Sequence, residues 1–240
     1  MNEVITIEAF GDNYFYLFVY EQGSAVAIDC GDCRGILKAL DQRGLRLDSV
    51  LITHHHYDHS SAVKKLKKKT GCTIISPDQK RIPQTDRLVG GGDVLDFGSE
   101  KIRVIATPGH TATSVCYYAE PSNTNAGGMV FTGDTMFIGG CGRIFECYAA
   151  EMFRSLSALA DLPDNTLVYP GHNYTDENFR FAQMFDPQTP PPATPSTVGY
   201  EKRWNIFLRS DDPAIKKALR KPHANADIIF AELRAKKDRF

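Results

Sequence analysis

The stretch Leu51-Ile52-Thr53-His54-His55-His56-Tyr57-Asp58-His59 reads T-H-x-H-x-D-H at the end of an apolar run. Residues 48–53 are β-branched and apolar, which predicts a buried strand. Residues 60–69 begin a helical pattern. The polar cluster therefore falls on a loop at the C-terminal end of a strand, where sheet proteins tend to place chemistry. Side chains of an extended segment alternate, so His54 and His56 point the same way and can hold one metal ion, while His55 points away. Asp58 and His59 follow at the turn into the helix and can face a second ion. Imidazole and carboxylate suit zinc, iron or manganese rather than calcium.

Further ligands arrive in matching contexts. His110 follows an apolar strand (102–106) in Thr107-Pro108-Gly109-His110-Thr111, and Asp134 follows another (129–131) in Phe131-Thr132-Gly133-Asp134-Thr135. His172 follows a third (166–169) in Pro170-Gly171-His172. A lone Gly-Asp or Gly-His is ordinary turn chemistry. Strand end, glycine turn and ligand recurring behind T-H-x-H-x-D-H make a metal centre the better reading.

Hydrophobic content of 42% in 240 residues allows a sizeable core, in one large domain or one domain with a small appendage. A net charge of −1 gives no bulk attraction to nucleic acid or membranes. No apolar run approaches a membrane span, and Met1-Asn2-Glu3-Val4-Ile5-Thr6 does not read as a signal peptide, so a cytoplasmic protein is expected.

Strands are expected at 4–9, 14–19, 25–29, 49–53, 72–76, 102–106, 114–118, 129–131 and 167–169, with helices at 35–42, 60–69 and 150–160. Beyond His172 the pattern turns helical, at 176–185, 212–219 and 226–237, the last with Ile228, Ile229 and Leu233 on its apolar side. Pro187-Gln188-Thr189-Pro190-Pro191-Pro192-Ala193-Thr194-Pro195 can be neither helix nor central strand and is an extended connector. Periodicity alone predicts only mixed α and β.

The set of motifs resembles the metallo-β-lactamase superfamily and, in detail, glyoxalase II, the hydroxyacylglutathione hydrolase family. Besides the ligands, the likeness rests on Asp12-Asn13-Tyr14, on Gly140-Cys141-Gly142-Arg143-Ile144-Phe145-Glu146, on Tyr169-Pro170-Gly171-His172-Asn173-Tyr174-Thr175 and on the end, Leu233-Arg234-Ala235-Lys236-Lys237-Asp238-Arg239-Phe240. It implies an α+β fold, the four-layer αββα sandwich, over residues 1–172, and a small helical substrate-binding domain over 173–240, shorter than in the longer family members. It implies two divalent metal ions, zinc first and iron or manganese also accepted. His54, His56 and His110 would hold one ion, Asp58, His59 and His172 the other, with Asp134 bridging. Two cations about 3.5–4 Å apart supply hydroxide at neutral pH, and Asp58 would aim it.

The implied reaction is hydrolysis of S-2-hydroxyacylglutathione, such as S-D-lactoylglutathione, in methylglyoxal detoxification. A thiolate of pKa about 8.5 leaves without a strong general acid, whereas an amide would need one. Arg143, Tyr174, Arg234 and Lys237 would bind glutathione; apart from the resemblance, Arg234 and Lys237 read as a solvated last helical turn. Phe145 stands where some members carry Tyr, which removes one hydroxyl contact. The expected partner is the small thioester alone, taken by a monomer without nucleic acid or membrane. A persulfide dioxygenase using one iron, another hydrolase of the same fold, and a binding protein with a dead site are the competing readings.

Other features read more plainly. Cys30-Gly31-Asp32-Cys33 lacks a second C-x-x-C, so reduced structural thiols are expected there and at Cys72, Cys116 and Cys147. Val63-Lys64-Lys65-Leu66-Lys67-Lys68-Lys69 is expected as a solvated helix face with Val63 and Leu66 turned inward. His223 is expected to be structural or exposed, and Trp204 to lie in the core or an interface.

Overall fold

The computed structural model describes residues 3–121 and 127–240; Met1 and Asn2, the start of the expected first domain and of the stretch read against a leader, lie outside them. The first sheet runs in chain order: β1 (Glu3–Ala9), β2 (Asn13–Glu21), β3 (Ser24–Ile28), β4 (Arg46–Leu51), β5 (Thr73–Ser76) and β6 (Arg87–Leu88). The second contains β7 (Val94–Phe97), β8 (Glu100–Ala106), β9 (Val115–Ala119), β10 (Met129–Gly133), β13 (Leu167–Pro170) and β14 (Ser196–Thr197), in the order β14-β13-β10-β9-β8-β7. A separate hairpin pairs β11 (Met136–Phe137) with β12 (Gly140–Cys141). The helices are α1 (Arg34–Arg43), α2 (Tyr57–Ser60), α3 (Val63–Thr70), α4 (Ala149–Ala160), α5 (Thr175–Gln183), α6 (Val198–Trp204), α7 (Pro213–Ala218) and α8 (Ala226–Lys237).

Side-chain parity builds the layers. Along β2, Tyr14, Tyr16 and Phe18 enter the core between the sheets, while Phe15 and Leu17 face the opposite way, into the core shared with α1 and α3. In the second sheet Val115, Tyr117 and Phe131 meet the first sheet, and Cys116, Tyr118 and Val130 pack under α4 and the C-terminal helices. The central strands β3 and β9 are thus buried on both faces, which is why they read as apolar runs, whereas β7 and β8 alternate buried and more exposed positions. The result is the four-layer αββα sandwich with helices added at the C-terminus.

Every strand and helix expected from the sequence is present, most with ends shifted by one or two residues. The helix expected at 60–69 is divided: α2 closes at Ser60, whose hydroxyl donates to the carbonyls of His55 and His56, and α3 starts at Val63. Asp58 and His59 therefore sit inside a helical turn rather than before one. On α8 the apolar face consists of Ile229, Phe230 and Leu233; Ile228, expected to join it, is 48% exposed because one residue step turns it about 100° away. Val63 and Leu66 are buried among outward lysines, all six cysteines are free thiols, His223 is exposed and Trp204 is half-buried. Residues 187–195 form neither helix nor strand.

Candidate metal centre and substrate cleft

The ends of β3, β4, β8, β10 and β13 and the start of β2 come to one edge of the sandwich. Antiparallel β2 brings its first residue there, and the main chain bonds it in place: Tyr14 N donates to Gly171 O (2.8 Å) and Asn173 N to Asp12 O (2.8 Å). Glycine is required where the turns close in. A Cβ on Gly171 would lie 2.5 Å from Asp134 Oδ1 and 2.8 Å from His59 Cε1, and Gly133, at φ +47°, would meet Thr53 Oγ1 at 2.5 Å.

All seven expected ligands meet at this edge. Two trios have converging donor atoms, His54–His56–His110 and Asp58–His59–His172, and Asp134 lies with His54 and His59 between them. His56 Nδ1 is 3.2 Å from His54 Nε2 and 2.9 Å from His110 Nε2. Asp58 Oδ2 is 3.5 Å from His59 Nε2 and 3.3 Å from His172 Nε2. Asp134 reaches both trios, with Oδ1 3.3 Å from His59 Nε2 and Oδ2 3.5 Å from His110 Nε2 and 3.4 Å from His172 Nε2. His55 turns to Arg81 (3.2 Å) and Glu146 instead, outside both trios.

In four of the five imidazoles, His56 being the other, the second ring nitrogen is engaged outside the centre, which fixes those tautomers. His54 Nδ1 lies 3.0 Å from Thr53 Oγ1, which spends its own proton on Asp29 Oδ2 (2.8 Å). His59 Nδ1 donates to Asp29 Oδ2 (2.8 Å), His110 Nδ1 to Arg143 O (2.7 Å) and His172 Nδ1 to Asp12 Oδ1 (3.1 Å). With all four rings neutral, the Nε2 lone pairs of His59 and His172 would face each other at 3.2 Å and those of His54 and His110 would face His56 Nδ1, an arrangement that is repulsive unless a proton or a metal cation sits between them. Donors about 2.0–2.1 Å from a tetrahedral cation lie about 3.3 Å apart, close to the spacings seen. Asp134 Oδ1, buried and without a hydrogen-bond donor, is the clearest further mark of such a site.

Electrostatics agree. Burial pushes the His54, His56 and His110 rings below the ordinary imidazole value, which keeps them neutral as ligands must be. Burial acts against both carboxylates, yet His172 and His59 hold Asp58 well below the usual range and His59 and His172 hold Asp134 at about 2. Despite its own burial, His172 is driven up to about 11 by Asp134, Asp58 and Asp12. The second trio thus attracts positive charge. The residues fit a two-cation centre, and zinc, iron and manganese all accept this donor set.

Asp29 and Asn13 had no expected role. Asp29, at the end of β3, also accepts from Thr53 N (2.7 Å), and Asn13 Nδ2 donates to Asp58 Oδ2 (3.0 Å). Asp29 shares the strand-end position of the ligands, which is the one sequence signal that could have singled it out.

A cavity of about 480 Å³ opens from the trios and reaches the C-terminal helices, bringing His56, Asp58, His110, Asp134 and His172 to the same space as Arg143, Tyr174, Arg234 and Lys237. Phe145 covers the first trio, its ring edge-on to His56 and His110 at 5.4 and 5.2 Å. Tyr174 stacks on His172 at 5.0 Å, and burial with Asp12 and Asp134 nearby raises its phenol to about 12, so it remains a donor. Arg234 and Lys237 are not a solvated helix end: they are 7% and 8% exposed. Arg234 Nη1 donates to Cys141 O (2.7 Å), Nη2 pairs with Asp238 (3.1 Å), and Lys237 pairs with Glu177.

Two sheets face to face between helices, with imidazoles and carboxylates gathered at the strand ends, define an αββα metal-binding sandwich. The family model described as "Metallo-beta-lactamase superfamily" matches residues 10–172, and that described as "Hydroxyacylglutathione hydrolase C-terminus" matches 188–240. A hydroxyacylglutathione hydrolase of Chromohalobacter salexigens is 40% identical over 100% of both chains. The chain belongs to the metallo-β-lactamase superfamily and, within it, to the hydroxyacylglutathione hydrolase family. Among solved structures, ETHE1 from Myxococcus xanthus superposes with a TM-score of 0.73 at 26% identity, covering 98% of this chain and 90% of that one. TTHA1623, in a di-iron-bound form, gives 0.62 at 26% identity, covering 86% and 100%.

Proposed function

We propose that the chain is a metal-dependent thioesterase that hydrolyses S-2-hydroxyacylglutathione, S-D-lactoylglutathione among them, to glutathione and a 2-hydroxy acid in methylglyoxal detoxification. The observation that carries this is the single cavity joining the His/Asp trios to Arg143, Arg234 and Lys237. It suits a substrate with a hydrolysable bond at one end and carboxylates at the other. The names of the full-length relatives support it. In this reading residues 1–172 carry the chemistry and 173–240, joined by Arg143, the substrate contacts, in a cytoplasmic monomer. No helix among the described residues is long and apolar enough to cross a membrane.

The proposed ligand sets are His54, His56 and His110 for one ion and Asp58, His59 and His172 for the other, with Asp134 bridging. Zinc is the proposed metal; the di-iron form of TTHA1623 makes iron the nearest alternative. When bound, two such cations lower the pKa of a water and polarise a carbonyl. The chain's own residues do the rest. Asp58, ionised and half-exposed on the cavity wall, accepts a hydrogen bond from the attacking water and aims it at the thioester carbon. Phe145 limits bulk water above the first trio, and Tyr174 donates from beside His172. Arg234 and Lys237 hold the carboxylate end and fix the distance to the reacting carbon. The departing thiolate takes a proton from solvent, so the site needs no strong general acid.

Zinc-loaded protein should release thiol from S-D-lactoylglutathione without consuming oxygen and should carry close to two ions per chain. Asp58→Ala should lower kcat by roughly 10²-fold or more with native circular dichroism, because it removes both a ligand and the group that aims the water. Oxygen uptake with glutathione persulfide, without thiol release from the thioester, would replace this reading with the dioxygenase one.

A further inference from the structure

The basic end of the cleft carries its own acids. Lys237, buried at the C-terminal turn of α8, lies 5.7 Å from the centre of the Phe181 ring and 5.1 Å from that of Phe240, and it pairs with Glu177 on α5. Arg143 and Arg234 share Asp238, at 3.4 and 3.1 Å. The two acids differ in where they stand. Glu177 lines the cavity with its side chain 49% exposed, whereas Asp238, which holds both arginines, does not line it. The group that neutralises Lys237 thus occupies the wall against which a ligand carboxylate would have to settle.

Resting on the thioesterase reading, we infer that Glu177 is a specificity-determining residue. Its carboxylate competes with a substrate carboxylate for Lys237 and so weakens the binding of thioesters whose carrier ends in an anion. A lysine ammonium has three donors, so Lys237 can serve both carboxylates, but only with two like charges held a few ångströms apart. That repulsion acts on the remote end of the substrate in the ground and transition states alike, so it sets KM rather than kcat. Carriers whose carboxylates are masked escape it. The pair therefore holds Lys237 in place in the free protein and restricts the cleft to ligands that engage more than one of its cations.

The test compares Glu177→Gln with the native protein, using S-D-lactoylglutathione and its dialkyl ester, with zinc loaded throughout. Glutamine keeps the shape and an oxygen acceptor for Lys237 but removes the charge. KM for the free thioester should fall by roughly 3- to 10-fold. KM for the ester should move less than twofold, and kcat should change less than KM. In a Lys237→Ala background the same substitution should lose most of its effect on KM. A rise in KM for the free thioester or an equal change for both substrates would overturn the inference and leave Glu177 as a support for the lysine; an undiminished effect without Lys237 would overturn it by showing that Glu177 does not act through the lysine. Absence of thioester turnover by the native protein would overturn the thioesterase reading itself, and the present one with it; the two failures are told apart by the native assay.

Discussion

Asp29 touches no substrate and belongs to neither ligand trio, yet it orders both. Its carboxylate accepts from Thr53 N, Thr53 Oγ1 and His59 Nδ1, so one residue fixes His59 directly and His54 through Thr53. It also sits at φ +59°, a left-handed conformation that Asp and Asn tolerate better than other side chains. Asp29→Asn therefore separates charge from backbone strain: the amide can serve Thr53 N but presents an NH₂ to at least one group that already donates. Metal affinity should fall roughly 10- to 100-fold in a chelator competition, with activity per bound ion less affected. An affinity within twofold of native would show that the carboxylate is dispensable. Nothing near Asp29 in the sequence announces this role, because its partners lie 24 and 30 residues away. The proposed ligands were legible because four of them crowd into six residues and the others repeat one context; Asp29 shares their place at a strand end but lacks the glycine before it.

The strands that escaped the sequence are short: β7 has four residues, and β6, β11, β12 and β14 have two each, too few for a period to show. Two of them matter to the cleft. The β11–β12 hairpin carries Phe137 and Cys141 into its wall and is latched by α6, which was not expected at all although Thr197 caps it by accepting from Tyr200 N (3.1 Å). The latch is Glu201, fully buried, which accepts from Gly139 N (2.9 Å), Ser196 Oγ (2.6 Å) and Asn205 Nδ2 (2.9 Å). Burial raises its carboxyl from 4.5 to about 7 against these donors. The folded state therefore holds a proton that the unfolded chain has released. The stability this contributes is present in full below pH 4.5 and is lost as pH rises to about 7. A rise of this size corresponds to roughly 3 kcal/mol. Glu201→Gln has no charge to bury, and the network can keep it: the amide oxygen takes the place of Glu201 Oε2 and serves Gly139 and Asn205, while the Ser196 hydroxyl turns to accept from the amide NH₂. Measured by urea unfolding, the stability of Glu201→Gln relative to native should increase by about 1–3 kcal/mol between pH 5 and pH 8.5. A difference that stays flat across this range would mean that Glu201 ionises in the folded protein as easily as in the unfolded one.

Across the whole molecule, the division proposed at 172/173 separates chemistry from substrate contacts, but the packing ignores it. The cluster under the second sheet joins Val130, Leu156 and Val168 from the first part to Phe181, Phe207, Phe230 and Leu233 from the second. Residues beyond the proline-rich connector also extend that sheet, through β14 on β13, with Val168 opposite Ser196 and Leu167 opposite Thr197. The sequence foretold the helical character of this region and its connector, since both are local; it could not foretell the shared core, which depends on contacts between distant positions such as Phe153 and Phe230. Phe230 lies at the centre of the join, with ring centres 5.6 Å from Phe153 and 5.8 Å from Phe207. Removing a buried phenylalanine typically costs about 3–5 kcal/mol. If the two parts were separate folding units, Phe230→Ala would loosen only the helices, and the metal centre would survive to higher urea. With one core, that cost falls on the entire chain. In Phe230→Ala, loss of helical circular dichroism, exposure of Trp204 and release of metal should shift together to lower urea, as one cooperative transition. Metal release that lags behind the loss of helix would show two units, and the C-terminal part would then be able to unfold while the metal centre stands.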